Sequence, residues 1–320
     1  MGLSLEHVTS PGESAEILGH FLPVVRAWWG ARYAEMSAPQ RLAVPAITAG
    51  RHVLVCAPTG TGKTLCAFLA VMNDLFARQA AGTLSEGIDT VYISPLRALG
   101  ADIARNLTAP LAEIAALRGD GAEEPRVAQR TGDTSARERA RMARRPPHIL
   151  ITTPESLAVC LAGETMRAHL RGVRRIIVDE LHALAPNKRG TDLALSVERL
   201  AELVMAAGGN DPQRIGLSAT IAPLERMARF LVGPERDCVL ADASFPRPLE
   251  LRIASVFGKT PFATTAAINQ HIYDLLEMTI RANRTTLVFT NLRAATERVT
   301  FALRTRFAAG VERGADSMDA

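Results

Sequence analysis

The 320-residue chain carries 37 Lys and Arg against 33 Asp and Glu, a net charge of +4, and is 48% hydrophobic but 5% aromatic. That length holds one large domain or two smaller ones, and the mild basicity is compatible with a polyanionic partner without requiring one. The cysteines Cys56, Cys66, Cys160 and Cys238 form no C-x-x-C pair, which argues against zinc and a disulfide framework.

No apolar run approaches the ~18 residues needed to span a bilayer. Glu6, Glu13 and Glu16 stand where a secretory signal would place basic and then apolar residues. The chain therefore reads as a soluble cytoplasmic protein with no membrane partner. Residues 1–36 contain an amphipathic segment with Phe21, Leu22, Val24, Val25, Trp28 and Trp29. Adjacent tryptophans point different ways on a helix, so packing onto the following domain and a partner contact both stand as readings. Ser37-Ala38-Pro39-Gln40 reads as a helix start with Ser37 as N-cap. Gly50 ends that helix, and Pro45 inside it predicts a kink or a late start.

Val53 to Cys56 is a short apolar run that predicts a buried strand, and Leu65 to Met72 predicts a buried helix. Between them lies Ala57-Pro58-Thr59-Gly60-Thr61-Gly62-Lys63-Thr64. Strand, glycine-rich turn, Lys-Thr and helix is the layout of a P-loop. The glycines let backbone N–H groups turn inward on a polyphosphate, and the helix start adds its positive dipole end. Lys63 would reach the outer phosphates, and the Thr64 hydroxyl would bind Mg²⁺. Ala57 departs from the general pattern, which begins with Gly. Lysine is scarce, at Lys63, Lys188 and Lys259, so its presence in the turn is not a product of composition.

Further strands are predicted at 90–94, 126–130, 148–152, 174–178 and 214–217, each followed by a polar turn and most of them by a helix. Residues 118–126 read as a loop. Arg137 to Arg145 predicts a basic helix whose arginines suit either phosphate contact or a solvated face. Strands alternating with helices predict an α/β fold, a parallel sheet with helices on both faces. The turns after those strands then converge on one edge, where such sheets bind ligands. Asp179-Glu180 follows one of the strands. Asp179 would hold Mg²⁺, and Glu180 would deprotonate the attacking water.

From about Asp242 the pattern changes. The prolines at 246 and 248 read as a linker, with strands predicted at 249–256 and 285–290 and helices at 264–281 and 291–307. The reading is a first domain over 1–245 and part of a second over 246–320. About 75 residues are marginal for an α/β core of their own.

The combination resembles the superfamily 2 helicases, in which the first P-loop position is often Ala. The D-E-x-H box is present as Asp179-Glu180-Leu181-His182 and the S-A-T element as Ser218-Ala219-Thr220. Ser94-Pro95-Leu96-Arg97-Ala98-Leu99, Thr131-Gly132-Asp133 and Thr152-Thr153-Pro154-Glu155 match its nucleic-acid-contacting elements in order. Gln40 matches the glutamine that reads adenine. Leu287-Val288-Phe289-Thr290-Asn291 looks like the first motif of the second RecA-like domain. The wording is similar to the Lhr (large helicase-related) group.

The resemblance implies a RecA-like P-loop domain plus the start of a second one, binding ATP and Mg²⁺ and moving 3′-to-5′ on single-stranded DNA, with unwinding of DNA or RNA–DNA duplexes. It implies that Thr59, Gly60, Thr61, Gly62, Lys63 and Thr64 hold the phosphates and metal. His182, Ser218 and Thr220 would couple that site to the strand. Pro95, Arg97, Gly132, Thr153 and Glu155 would lie along the sugar-phosphate backbone. In the family an arginine of the second domain completes the ATP site, worth ~10³–10⁵ in rate. No Q-x-x-R-x-G-R element occurs here. The chain is thus expected to be the N-terminal part of a helicase, truncated at its C-terminus or completed by a partner chain. A non-catalytic ATP- and nucleic-acid-binding module, an RNA helicase and a P-loop phosphotransferase are the competing readings.

Overall fold

A computed structural model describes residues 4–95, 97–121, 123–219, 222–244, 250–255 and 264–315, with the side chains of 97–102 and 309–315 left undescribed. The chain divides into two units, Met1–Pro246 and Arg247–Ala320.

In chain order the first unit contains β1 (Leu5–Val8), α1 (Ser14–Gly19), α2 (Pro23–Gly30), α3 (Ala38–Thr48), β2 (Val53–Cys56), α4 (Lys63–Ala80) and β3 (Thr90–Ile93). It continues with α5 (Arg97–Arg118), β4 (Val127–Arg130), α6 (Ala136–Arg144), β5 (Ile149–Thr152), α7 (Pro154–Ala162), α8 (Glu164–Leu170) and β6 (Arg175–Val178). It closes with α9 (Leu181–Leu184), α10 (Lys188–Ala206), β7 (Gln213–Ser218), α11 (Leu224–Val232) and β8 (Cys238–Asp242). The strands make one sheet of eight, ordered β1-β8-β2-β7-β6-β3-β5-β4, with parallel pairing throughout.

Side-chain alternation along the strands builds two cores. Val53, Val55, Tyr92, Ile149, Ile151, Ile177, Ile215 and Leu217 enter one, with helices α1 to α5. Leu54, Val91, Ile93, Leu150, Ile176, Val178 and Leu240 enter the other, with helices α7 to α11. Burial on both faces is why the central strands read as unbroken apolar runs. Both tryptophans are core residues at 2% exposure, which favours the packing reading. Trp28 Nε1 donates to Glu113 Oε2 at 2.7 Å. Helix α3 runs through Pro45 to Thr48, where a kink or a late start was expected.

Two strands escaped the sequence reading. β1 has Glu6 and His7 exposed at its centre, a charged edge strand without alternation. β8 is buried, but its five residues lie against the stretch read as the linker.

In the second unit the described elements are α12 (Thr265–Ala282) and α13 (Arg293–Ala315). Arg306 pairs with Asp274 at 2.6 Å, and Arg281 lies over the Phe307 ring at 5.0 Å. The strand expected at 285–290 is not formed, and 250–255 also lacks regular structure. A strand needs a neighbour to satisfy its backbone, and the described residues of this unit supply none. Leu287 is 77% and Phe289 89% exposed. The ends of the strand expected over 249–256, the prolines of the linker and residues 316–320 lie outside the described residues.

Candidate nucleotide and strand-binding site

Because the sheet is parallel, the loops after β2, β3, β4, β5, β6 and β7 all open on its carboxyl edge. The loop after β2 begins at buried Ala57, whose N–H donates to Ser218 O at 3.2 Å. Thr61 Oγ1 donates to Pro58 O at 2.7 Å, drawing the loop into a ring. Gly60 and Gly62 have φ of 76° and 87°, values that disfavour any side chain. Gly62 is doubly constrained, since a Cβ there would lie 2.8 Å from Gln40 Nε2. Gln40 is itself buried. Its Oε1 accepts the Ser37 N–H at 2.7 Å, and its Nε2 points at Gly62 O at 3.5 Å. The predicted adenine-reading glutamine is thus seated against the loop.

Lys63 opens α4 and is 7% exposed. Its Nζ donates to Ala57 O at 2.6 Å and Pro58 O at 3.0 Å, which leaves one N–H for a further acceptor. Burial holds its pKa below the usual lysine range, while the Glu180 and Asp179 carboxylates oppose that shift. Thr64 follows, partly exposed at the same helix start.

Across the sheet edge, Asp179 is 4% exposed. Tyr92 OH donates to its Oδ2, and the Glu180 N–H donates to its Oδ1 at 2.8 Å. Burial pushes the Asp179 pKa up, countered by the Tyr92 and Glu180 hydrogen bonds. Tyr92 stacks on Phe68 of α4, with ring centroids 5.1 Å apart. One aromatic pair therefore packs the helix behind the P-loop against the residue that orients Asp179.

Glu180 is the one non-glycine with positive φ among the described residues, at φ 49°. A left-handed residue costs about 1–2 kcal/mol, and such strain clusters at functional sites. His182 Nδ1 accepts the Ala219 N–H at 3.2 Å, which places its proton on Nε2. Glu180 Oε2 lies 3.4 Å from the same Nδ1. One nitrogen cannot both accept from the amide and donate to the carboxylate. The Ser218 hydroxyl is fully buried without a hydrogen-bond partner among the described residues. Thr220 lies outside the described residues.

The remaining elements line the same edge. Thr153 caps α7, and its Oγ1 accepts the Ser156 N–H at 3.4 Å. Gly132 is exposed in the turn after β4. Pro95 is buried, and the side chain of Arg97 lies outside the described residues. Glu155 is not a free carboxylate. Arg189 donates to it at 2.5 and 3.3 Å and to Pro95 O at 3.0 Å. That pair pulls the Glu155 pKa below the usual carboxylate range.

Arg189 and Tyr92 are the site residues that sequence reasoning missed. Tyr92 was hidden in an apolar strand. Arg189 carried a signal, because it stands in the first turn of α10 behind the N-cap Asn187, where the helix dipole disfavours a cation.

A DEAD/DEAH box helicase family profile matches residues 37–227. The chain belongs to the DEAD/DEAH box helicase family. Its relatives within that family include Lhr-Core helicases. It is 45% identical to ATP-dependent helicase Lhr-Core of Methanothermobacter thermautotrophicus, over 92% of this chain and 34% of that protein. It is 46% identical to the Methanocaldococcus jannaschii Lhr-Core helicase, over 88% of this chain and 33% of that protein. The chain thus spans about a third of the length of the curated relatives it matches. The structure of Mycobacterium smegmatis helicase Lhr bound to ssDNA and AMP-PNP aligns with a TM-score of 0.73 at 35% identity, over 92% of this chain and 37% of that one. Helicase MrfA shares the fold, with a TM-score of 0.71 at 21% identity, over 92% of this chain and 42% of that one. The RecA-like P-loop sheet expected from the sequence is the fold of this DEAD/DEAH box chain. Among the described residues no helix is long and apolar enough to cross a membrane.

Proposed function

We propose that this chain supplies the nucleotide-binding half, and part of the strand-binding surface, of an ATP-dependent helicase or translocase acting on single-stranded DNA. The observation that carries this is buried Lys63, held by Ala57 O and Pro58 O in a glycine-constrained loop, on the same carboxyl sheet edge as buried Asp179. Thr59 to Gly62 cradle the phosphates, and Lys63 gives its remaining N–H to an outer phosphate oxygen. Gln40 reads the base beside Gly62. Thr64 and Asp179 offer two hard oxygen donors, a set that suits Mg²⁺ completed by water and phosphate. When bound, Mg²⁺ would neutralise charge on the outer phosphates. Glu180 takes the proton of the attacking water, and Ala219, hydrogen-bonded to His182, links that site to the strand-facing turns. DNA is preferred to RNA because the 35%-identical Lhr structure holds ssDNA.

The second unit is proposed as the start of a second RecA-like domain, on the strength of Leu287-Val288-Phe289-Thr290-Asn291. The arginine that completes the ATP site would come from sequence outside these 320 residues, on the same polypeptide or a partner. The 320-residue chain should therefore bind Mg–ATP weakly and unwind nothing. Glu180→Gln should keep nucleotide binding and abolish whatever ssDNA-stimulated hydrolysis the wild type shows. Unchanged hydrolysis in that variant removes Glu180 as the base, and robust duplex unwinding by wild type refutes the half-site reading.

A further inference from the structure

Helix α6 follows directly on the Thr131-Gly132-Asp133 turn, and its arginines are divided by the fold between two jobs. Arg139 braces the turn, donating to Thr134 O at 2.9 Å and Gly132 O at 3.1 Å. Arg145, just past the helix, pairs with Glu123. Arg137, Arg141 and Arg144 make no side-chain hydrogen bond or ion pair among the described residues, and all three are exposed. Positions i, i+4 and i+7 share one helix face, so these three form a stripe about 10 Å long at 1.5 Å per residue. Met142 anchors another side of the helix in the core.

Three like charges on one face repel one another. The nearest carboxylate on the helix is committed elsewhere, since Glu138 accepts from the Ser135 N–H at 3.0 Å and hydroxyl at 2.8 Å. Elsewhere in this unit arginines meet carboxylates, as Arg78 meets Asp89, Arg126 meets Glu86 and Arg214 meets Glu198. Among the described residues the stripe is a run of positive charge that forms no ion pair, with Glu138 beside Arg141 as its nearest carboxylate, and Arg139 fixes it to a turn expected on the sugar-phosphate backbone.

We propose that Arg137, Arg141 and Arg144 form a phosphate-binding stripe that extends the single-strand track beyond the Thr131–Asp133 turn along α6. This rests on the reading of the sheet edge as a strand-binding surface. The occupant is the backbone of the same single strand, held by charge without base readout. The stripe therefore adds affinity for strands long enough to pass the turn, and it adds salt sensitivity.

The test is fluorescence anisotropy on the full 320-residue chain, with oligo-dT on the order of 6 and 20 nucleotides long. The variant is Arg137→Ala/Arg141→Ala/Arg144→Ala, which keeps helix propensity. The control, Arg199→Ala/Arg226→Ala/Arg229→Ala, removes the same charge from α10 and α11. The stripe variant should lose roughly tenfold or more in affinity for the long strand and little for the short one. Three phosphates at about 0.7 each make its salt slope shallower by about 2. An unchanged slope and affinity for the long strand, or an equal loss in the control, overturns the stripe alone. A wild-type chain that binds neither oligonucleotide overturns the strand-binding reading with it.

Discussion

The two units of the chain obey the same sequence rules and end in opposite states. In the first, Val53 to Cys56 is apolar and buried on both sides because β7 and β8 flank it and helices cover each face. In the second, Thr285 to Thr290 is just as β-prone around Leu287-Val288-Phe289, yet Phe289 stands 89% exposed and no strand forms. Local propensity is alike in the two segments, and the difference is neighbours. A strand of a parallel sheet is a property of at least three segments at once, so a motif can be legible where its fold is not.

The largest expected stability effect in the first unit is at Gly190, where an added Cβ would stand 2.3 Å from Leu184 O, a backbone atom that cannot yield. Gly190→Ala should cost about 3 kcal/mol in denaturant unfolding, the upper part of the overpacking range. A cost below about 1 kcal/mol would mean that the turn between α9 and α10 can yield to an added methyl.

A smaller effect comes from two histidines of the same unit. His52 Nδ1 accepts the Arg214 N–H and His148 Nδ1 accepts the Arg126 N–H, each at 3.0 Å. Burial lowers both pKa values. Below the unfolded value of about 6.5 the unfolded chain takes up protons that the native one refuses, so stability rises with pH there and is lost as pH falls. Two such groups give at most about 2.7 kcal/mol per pH unit. The slope of unfolding free energy between about pH 5 and 6.5 should shrink by about half in either His52→Gln or His148→Gln. An undiminished slope would shift the cause to other groups.

The smallest effect is expected in the second unit. Phe289→Ser should change stability by less than about 0.5 kcal/mol, as for an exposed side chain. A loss of several kcal/mol in that variant would show that the segment is packed after all, and the contrast between the units would fail.

The same contrast explains what was legible beforehand. The P-loop and Asp179-Glu180 were readable because their chemistry sits in contiguous residues whose spacing the backbone dictates, whereas His182 and the strand-end turns took their expected roles from the family resemblance. Tyr92 and Arg189 act through partners 87 and 34 residues away, and such pairings have no local signature. Gln40 was legible only through the family resemblance, since its contact with Gly62 spans 22 residues. β1 and β8 were missed because an edge strand need not alternate and a five-residue buried strand resembles any short apolar run.

The central claim is that the first unit by itself forms the phosphate and metal half of an ATP site. Amide hydrogen exchange of the 320-residue chain with and without Mg–ATP tests it most directly. Protection should rise at residues 57–66 and 179–182, stay high in β2 and β7 in both conditions, and remain negligible at 285–290. Unchanged exchange at 57–66 under saturating Mg–ATP, or protection appearing at 285–290 instead, would contradict the account.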